Sequence, residues 1–141
     1  MSKNQTGRGS CLCGSIHFTA ATMGRSHGAC HCAMCRKWSG GPLMSVFCGS
    51  DVTFESEEFI GVYESSQWAE RGFCKKCGSA LFYRVKGNQT YHIPIGLFDE
   101  FEEITFGIQI FIDKKPEHYS FANETETMTE AQVFEHYGPS A

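Results

Sequence analysis

The sequence predicts an all-β protein of antiparallel strands with a short C-terminal helix. Short runs rich in β-branched and aromatic residues recur along the chain, as is typical of strands. Glycine-containing breakers separate these runs at the spacing of an antiparallel sheet, and the end signals of a helix occur near the C-terminus. The chain has 141 residues, which is the size of one domain, so we expect a single domain over residues 1–141.

The first predicted strand is indicated by alternation, and the later ones by β-rich runs between breakers. Ile16 and Phe18 alternate with polar neighbours, as in a strand with one buried face. Breakers such as Gly49, Gly61 and Gly87-Asn88 separate the later runs. The remaining predicted strands are Pro42–Cys48, Asp51–Glu55, Phe59–Tyr63, Trp68–Cys74, Ser79–Val85, Thr90–Leu97 and Ile104–Ile112.

The C-terminal helix is predicted over Glu130–Tyr137 from its two ends. Thr129 is a favourable N-cap, and Gln132 three residues later completes a capping box. Met128 and Val133 occupy the two positions of a hydrophobic staple. Gly138 and Pro139 supply the stop signal.

Composition and charge exclude several classes of partner. The net charge is −4, and the twelve lysines and arginines form no run longer than Lys114–Lys115, whereas a nucleic-acid-binding surface needs a basic stripe. No window approaches the run of about 18 apolar residues that a membrane span needs. Met1–Ser10 lacks the apolar stretch of a signal peptide. We therefore expect a cytoplasmic protein that binds neither nucleic acid nor a membrane.

Seven of the eight cysteines fall into three tight clusters, and the eighth, Cys48, stands apart as a small hydrophobe in a strand. In a reducing compartment, clustered cysteines more often bind metal or perform chemistry than form disulfides. A Cys-x-Cys on a strand points both thiolates to one face, and a Cys-x-x-Cys converges through a tight turn. Zinc is favoured over an iron–sulfur cluster, whose usual runs fit the Cys-x-Cys spacing poorly. The clusters are Cys11–Gly14, Cys30–Cys35 and Cys74–Gly78.

The first and third clusters share a Cys-Gly ending, and this indicates one joint site. Glycine tolerates a turn that brings backbone N–H groups towards the sulfurs. Four cysteines around one ion make a closed, structural zinc site. Such a site contributes about 10–16 kcal/mol, as much as the whole stability of about 5–15 kcal/mol of a typical domain. Its loss should therefore unfold the protein. The four predicted ligands are Cys11, Cys13, Cys74 and Cys77.

The middle cluster has three thiolates and no obvious fourth ligand, because a charged residue, Arg36, follows it in place of a glycine. Three protein ligands and an open position are typical of a catalytic zinc site. His31 would point away from its flanking cysteines on a strand. His27 remains a candidate fourth ligand, since histidine is a common zinc ligand. Trp38 follows the cluster by three residues and is the aromatic side chain nearest to it in sequence.

Three spaced motifs are Gly9–Gly14, then Cys30–Arg36 with Ser39, Gly40 and Pro42, then Arg71–Leu81. Their order and spacing resemble the glutathione-dependent formaldehyde-activating enzyme family, which includes the centromere protein V domain. The resemblance extends from about Gly7 to beyond Tyr119. It implies a compact, zinc-bound β-tent fold and formation or cleavage of the carbon–sulfur bond of S-hydroxymethylglutathione, made from glutathione and formaldehyde. It also implies a structural zinc at Cys11, Cys13, Cys74 and Cys77 and a catalytic zinc at Cys30, Cys32 and Cys35.

An open zinc site could act on such a substrate in two ways. It can bind a thiol as its thiolate, or it can polarise an aldehyde oxygen as a Lewis acid. Three thiolates around a divalent ion weaken its Lewis acidity, so we favour thiolate delivery, with glutathione as the candidate co-substrate. Arg36, Lys37 and Arg71 are candidates to pair with a substrate carboxylate, and the alternative for each is a solvated surface charge.

Two functional hypotheses follow from these patterns. The first is a zinc-dependent carbon–sulfur lyase or synthase that acts on a small thiol adduct. The second is a non-enzymatic zinc module that binds a protein partner or handles metal. A fourth protein ligand at the second cluster, such as His27, would favour the second hypothesis, because it would close the coordination sphere.

Overall fold

The structure is a computed structural model that describes residues 4–137. In this part of the chain it contains twelve strands and two helices. The strands are β1 Asn4–Ser10, β2 His17–Gly24, β3 Ser26–Cys30, β4 Leu43–Phe47, β5 Val52–Phe54, β6 Ile60–Tyr63, β7 Ala69–Cys74, β8 Ala80–Val85, β9 Thr90–Pro94, β10 Phe98–Glu100, β11 Thr105–Ile110 and β12 Glu126–Met128. The helices are α1 Ala33–Ser39 and α2 Glu130–Tyr137, and single 3₁₀ turns lie at Ile95–Leu97 and Ile112–Lys114. The predicted all-β class is confirmed.

The strands form two sheets. The smaller has the order β10-β1-β2-β5, and the larger has the order β12-β11-β3-β4-β9-β8-β7-β6. Most neighbours are antiparallel, as predicted, but β11 is parallel to both β3 and β12. This departure arises because β11 enters the sheet after a long excursion of the chain, and alternation within a strand carries no information about the direction of its neighbour.

The core lies between the two sheets, and aromatic contacts run through it. Phe18 of the smaller sheet packs edge-on against Phe98 at a ring distance of 5.1 Å. Phe82 and Tyr91 of the larger sheet form a second edge-on pair, also at 5.1 Å. Phe54 contacts both Phe18 and Phe82, and so joins the two sheets. Burial of such side chains is the main source of stability, at roughly 25 cal/mol for each Å² of apolar surface.

Strand β1 is absent from the sequence-based prediction, because its inward-facing positions carry almost no apolar side chains. Gln5, Gly7 and Gly9 are the buried residues of its alternating pattern. A Cβ at Gly7 would lie 2.5 Å from Sδ of Met23, so this position must lack a side chain for the core to close against β1. The hydrophobic alternation that identifies a half-buried strand is therefore missing here.

Helix α2 begins as predicted at a capping box. The Gln132 amide donates to Oγ1 of Thr129 at 3.2 Å, and the Thr129 amide donates to Oε1 of Gln132 at 2.8 Å. Val133 is buried, as the staple requires. The predicted stop at Gly138 and Pro139 lies outside the described residues.

Candidate metal centres

The first cysteine cluster forms where two tight turns meet. Cys11 and Cys13 lie in the turn between β1 and β2, and Cys74 and Cys77 lie at the end of β7 and in the turn to β8. The four Sγ atoms all lie within 4.8 Å of one another. The Cys11–Cys13 and Cys13–Cys74 sulfurs are 3.7 Å and 3.9 Å apart. Tetrahedral zinc with bonds of about 2.3 Å places its sulfur ligands about 3.8 Å apart, so this cluster fits zinc.

The two turns share one backbone geometry. Gly14 and Gly78 both have a positive φ, of 78° and 79°, which glycine adopts without strain. The Gly14 amide donates to the Cys11 carbonyl, and the Gly78 amide donates to the Cys74 carbonyl. In the second turn, the backbone amides of Lys76 and Cys77 each donate to Sγ of Cys74 at 3.4 Å. The positive φ of the two glycines closes both turns and explains the shared Cys-Gly ending.

The position of this cluster explains why a bound ion would stabilise the fold. Cys11 follows a strand of the smaller sheet, whereas Cys74 and Cys77 belong to the larger sheet. Ser79 adds a bridge, because its Oγ accepts from the Leu12 amide at 3.0 Å and lies 3.2 Å from Sγ of Cys77. An ion here would therefore join the two sheets at one end of the core.

The second cluster lies at the opening of α1. Cys30 ends β3, Cys32 is the N-cap of α1, and Cys35 lies in its first turn. Their three Sγ atoms lie within 4.8 Å of one another. The Cys35 amide donates to Sγ of Cys32 at 3.4 Å. Helix α1 is absent from the sequence-based prediction, because a seven-residue helix that is capped by a cysteine carries none of the usual start signals.

Neither histidine near the second cluster joins it. Among residues 4–137, the group of potential ligand atoms contains sulfur from three cysteines and no imidazole nitrogen. His31 is fully buried and uses both ring nitrogens elsewhere, at 2.9 Å from the Tyr119 hydroxyl and 2.9 Å from Oε1 of Gln109. The ring of His27 stacks on Phe106 at 5.0 Å. The predicted orientation of His31 is therefore confirmed, although it lies beyond the end of the strand.

The three basic candidates have different surroundings. Lys37 is exposed on α1. Nε of Arg36 donates to the His31 carbonyl at 2.9 Å, which holds this side chain beside the cluster. Arg71 is neither a solvated surface charge nor a free partner for a substrate carboxylate, the two roles considered from the sequence. It is only 4% exposed, and both of its terminal nitrogens lie 3.8 Å from Sγ of Cys35. It is a buried neighbour of the cluster rather than a surface group that could reach a carboxylate in solvent.

The thiols of the second cluster share their protons. The pKa of Cys30 is raised, first by its side-chain hydrogen bonds to Cys32 and Cys35 and then by burial. The pKa of Cys32 is lowered, chiefly because it accepts hydrogen bonds from the other two thiols. Ionisation of all three requires a cation between them, which is the condition a divalent metal fulfils.

Sequence reasoning identified the cysteines but missed three residues that surround the second cluster. Tyr119 and Gln109 hold His31, and Tyr83 stacks on Arg71 at 5.1 Å. Tyr119 and Gln109 lie 88 and 78 positions from His31 in sequence, and Tyr83 lies opposite Arg71 on the neighbouring strand β8. No sequence motif links these three residues to the cysteines, so only the folded structure shows that they surround the cluster.

Comparisons with known proteins agree with this geometry. The family model described as "Glutathione-dependent formaldehyde-activating enzyme" matches residues 6–114. A Schizosaccharomyces pombe protein named as an uncharacterized lyase is 40% identical over 126 residues, covering 89% of this chain and 92% of its own. A Halomonas elongata protein, named for glutathione-dependent formaldehyde activation, is 29% identical over 83 residues, or 52% of this chain and 53% of its own.

The fold also resembles a solved structure. A Rhodobacter sphaeroides protein matches with a TM-score of 0.58 at 18% identity, covering 70% of this chain and 98% of its own, which supports the fold alone. Within the described part of the chain, no helix is long and apolar enough to cross a membrane. The family match spans most of the chain, and the two cysteine clusters lie inside it. The chain therefore belongs to the glutathione-dependent formaldehyde-activating enzyme family and is a lyase of that type.

Proposed function

We propose that this protein is a zinc-dependent carbon–sulfur lyase or synthase that acts on a small thiol adduct, with S-hydroxymethylglutathione as the candidate substrate. The observation that carries the proposal is the difference between the two clusters. Four thiols converge in the first, and three converge in the second without a fourth ligand among residues 4–137. Closed four-ligand sites are structural, and three-ligand sites are catalytic. The name of the Halomonas relative supports a glutathione-derived substrate.

The chain's own residues divide the work at the second cluster. Cys30, Cys32 and Cys35 would hold zinc, which when bound would stabilise a substrate sulfur as its thiolate. Cys35 is buried, whereas Cys30 and Cys32 are half-buried, so a substrate would approach from their side. Arg36, held beside the cluster by the His31 carbonyl, and exposed Lys37 are the candidates to bind a carboxylate of the substrate.

The reaction needs no oxidant or reductant. In the synthetic direction, the sulfur of the thiol forms a bond to the carbonyl carbon of formaldehyde. The electron pair of the C=O π bond moves to oxygen, and the proton lost by the thiol ends on the new hydroxyl group. The lyase direction reverses these steps, so the protein must only stabilise the sulfur anion and position the two partners.

The alternative of a non-enzymatic zinc module expects a closed second site. Its marker is a fourth protein ligand, and His27 was the candidate. His27 stacks on Phe106 and its nitrogens are absent from the ligand group of the described residues. The geometry therefore favours the enzyme.

The proposal can be tested with two cysteine variants. Cys32→Ser removes one ligand of the second cluster, and Cys48→Ala removes a buried cysteine that lies in neither cluster. We expect about two zinc ions per chain for the wild type and Cys48→Ala, and about one for Cys32→Ser, because each cluster would hold one ion. Turnover of the glutathione–formaldehyde adduct should fall to the uncatalysed rate in Cys32→Ser alone. Equal turnover in the wild type and Cys32→Ser would contradict the assignment.

A further inference from the structure

Arg71 is a buried cation without a carboxylate partner. It lies on β7 and is 4% exposed. None of the five ion pairs found among residues 4–137 involves it. A buried charge is costly unless an opposite charge lies close by. The surroundings of Arg71 must therefore supply a negative charge of another kind.

The hydrogen-bond contact of Arg71 among residues 4–137 is with one sulfur atom. Its two terminal nitrogens each lie 3.8 Å from Sγ of Cys35. Its Nε has no hydrogen-bond partner among the described residues. A neutral thiol is a weak acceptor and would not compensate a buried guanidinium, but a thiolate would. The position of Arg71 thus places a fixed positive charge directly beside the second cluster.

Two aromatic rings hold the guanidinium in this place. Its Cζ lies 4.9 Å from the ring centre of Trp38 and 5.1 Å from that of Tyr83. Both contacts are within the range of cation–π attraction. Trp38 belongs to α1 and Tyr83 to β8, so two separate elements fix the orientation of one side chain. A cation that is clamped in this way cannot swing out to bind a ligand in solvent.

We propose that Arg71 is the built-in counter-charge of the second cluster, and that its charge allows this site to accept an anionic sulfur ligand. Three thiolates and one divalent ion sum to a charge of −1, and Arg71 brings the site to zero. A substrate thiolate then enters a neutral rather than an already anionic site. The counter-charge role stands on the geometry of Arg71 alone, whereas the entry of an anionic sulfur ligand rests on the proposed function.

The first cluster supports this reading by contrast. Its sulfurs are stabilised by backbone amides of Lys76 and Cys77 and by the Ser79 hydroxyl. No arginine is hydrogen-bonded to a sulfur there among residues 4–137. A closed site needs to hold its own four thiolates and nothing more. A positive charge beside a sulfur occurs where a further anion would have to enter.

The experiment compares Arg71→Met, Arg71→Gln and Arg71→Lys with a matched control, Arg84→Met. Arg84 also stacks on two rings, those of Phe82 and Tyr91, but its charge is paired with Glu70 at 2.6 Å rather than with a cysteine. Zinc affinity is measured by competition with a chromophoric chelator, with the tightly held first-site ion as the internal reference. The thiol probe is 2-mercaptoethanol, added to the cobalt(II)-substituted protein and followed by its sulfur-to-cobalt absorption.

Both neutral variants should hold the second ion roughly 10- to 100-fold more weakly, the range expected when one nearby charge is lost. Arg71→Lys should lie between these variants and the wild type, because it keeps the charge without the planar fork. The cobalt-bound neutral variants should also bind 2-mercaptoethanol at least about tenfold more weakly, and Arg84→Met should match the wild type in both measurements. Two neutral variants are made so that the comparison does not depend on one substitution. The folding of each is checked by circular dichroism and by retention of the first-site zinc.

The outcomes separate this inference from the proposed function. Unchanged second-site affinity in a folded Arg71→Gln or Arg71→Met protein would overturn the counter-charge role. Weaker metal binding in these variants, together with no thiol binding by wild type, would support that role and contradict thiolate delivery. Weaker metal binding with unchanged thiol affinity would support the counter-charge role and overturn the claim that Arg71 helps an anionic sulfur ligand to enter.

Discussion

Nε2 of His31 donates a hydrogen bond of 2.9 Å to Oε1 of Gln109, and this bond turns the imidazole away from the two cysteines that flank it. The Tyr119 hydroxyl donates to the other ring nitrogen, Nδ1, at 2.9 Å. Nε2 of Gln109 donates to Oγ1 of Thr125, which completes a chain with one consistent direction. Because His31 points into the protein, Cys30 and Cys32 both face the second cluster. The chain of hydrogen bonds thus positions two of its three sulfurs.

Replacement of Gln109 tests this relationship. Gln109→Leu keeps the approximate volume but leaves the buried Nε2–H of His31 without an acceptor. An unsatisfied buried donor costs about 1–3 kcal/mol, so the free energy of unfolding should fall by that amount. Urea unfolding measures it, and Gln67→Leu at an exposed position is the control. Equal midpoints for the two variants would show that the bond does not stabilise the second cluster.

Loss of the first cluster should unfold the protein. Cys77→Ala removes one of the four thiols that join the two sheets. A structural zinc site contributes about 10–16 kcal/mol, which matches or exceeds the stability of about 5–15 kcal/mol of a typical domain. We expect loss of native circular dichroism and of cooperative thermal unfolding, whereas Cys48→Ala should remain folded. A folded Cys77→Ala protein with one ion would show that the core alone is sufficient.

The stability should decrease as the pH falls below about 6.5, the ordinary pKa of histidine. Burial lowers the pKa of His92 to about 4, where its ring packs between Phe47 and Tyr83. The unfolded chain then binds a proton at a pH where the folded protein does not, so the stability is complete above pH 6.5 and is lost towards pH 4.

His92→Phe removes this titration while it keeps an aromatic ring. The dependence of the urea midpoint on pH should therefore be shallower for the variant than for the wild type below about pH 6.5. Zinc content is measured at each pH, because protonation of the cysteines would release metal and mask the effect. Parallel curves for the two proteins would contradict a lowered pKa of His92 in the folded protein.

A methyl group at Gly72, the residue after Arg71 on β7, should disturb the packing of the Phe82 ring. A Cβ at this position on β7 would overlap the ring of Phe82, whereas a Cβ at Gly87 would meet nothing within 4 Å. Gly72→Ala should lower the free energy of unfolding by about 1–3 kcal/mol through overpacking. Gly87→Ala should change it by no more than about 0.5 kcal/mol. Thermal unfolding of both variants provides the comparison, and equal shifts would show that Phe82 relaxes freely.

The cysteine clusters show how much a sequence can indicate. Sites built from Cys-x-Cys and Cys-x-x-Cys are local, because two of the ligands converge through one strand or one turn. The shared Cys-Gly ending correctly predicted that Cys11 and Cys74 would meet, although they are far apart in sequence. Helix α2 was also predicted from a local signal, because Thr129 and Gln132 form a capping box within one turn.

The missed elements lack a local signal. The inward positions of β1 are Gln5, Gly7 and Gly9, and a side chain at Gly7 would overlap Met23 and Phe98, so no hydrophobic pattern marks the strand. Helix α1 begins at a cysteine that serves as its N-cap. The parallel pairing of β11 with β3 depends on where a distant strand enters the sheet. Each of these features is created by residues that lie elsewhere in the chain.

The sequence by itself determined the β class, the C-terminal helix and the grouping of seven cysteines, because these depend on spacings of a few residues. Only the tertiary structure decided that Arg71 is buried against Cys35 and that His31 is held by Gln109 and Tyr119. The physical reason is that the environment of a charge or a ring depends on packing between strands that are distant in sequence. From the sequence alone, an arginine in a motif is expected to be a solvated surface charge, and only its neighbours in the fold show that it is buried.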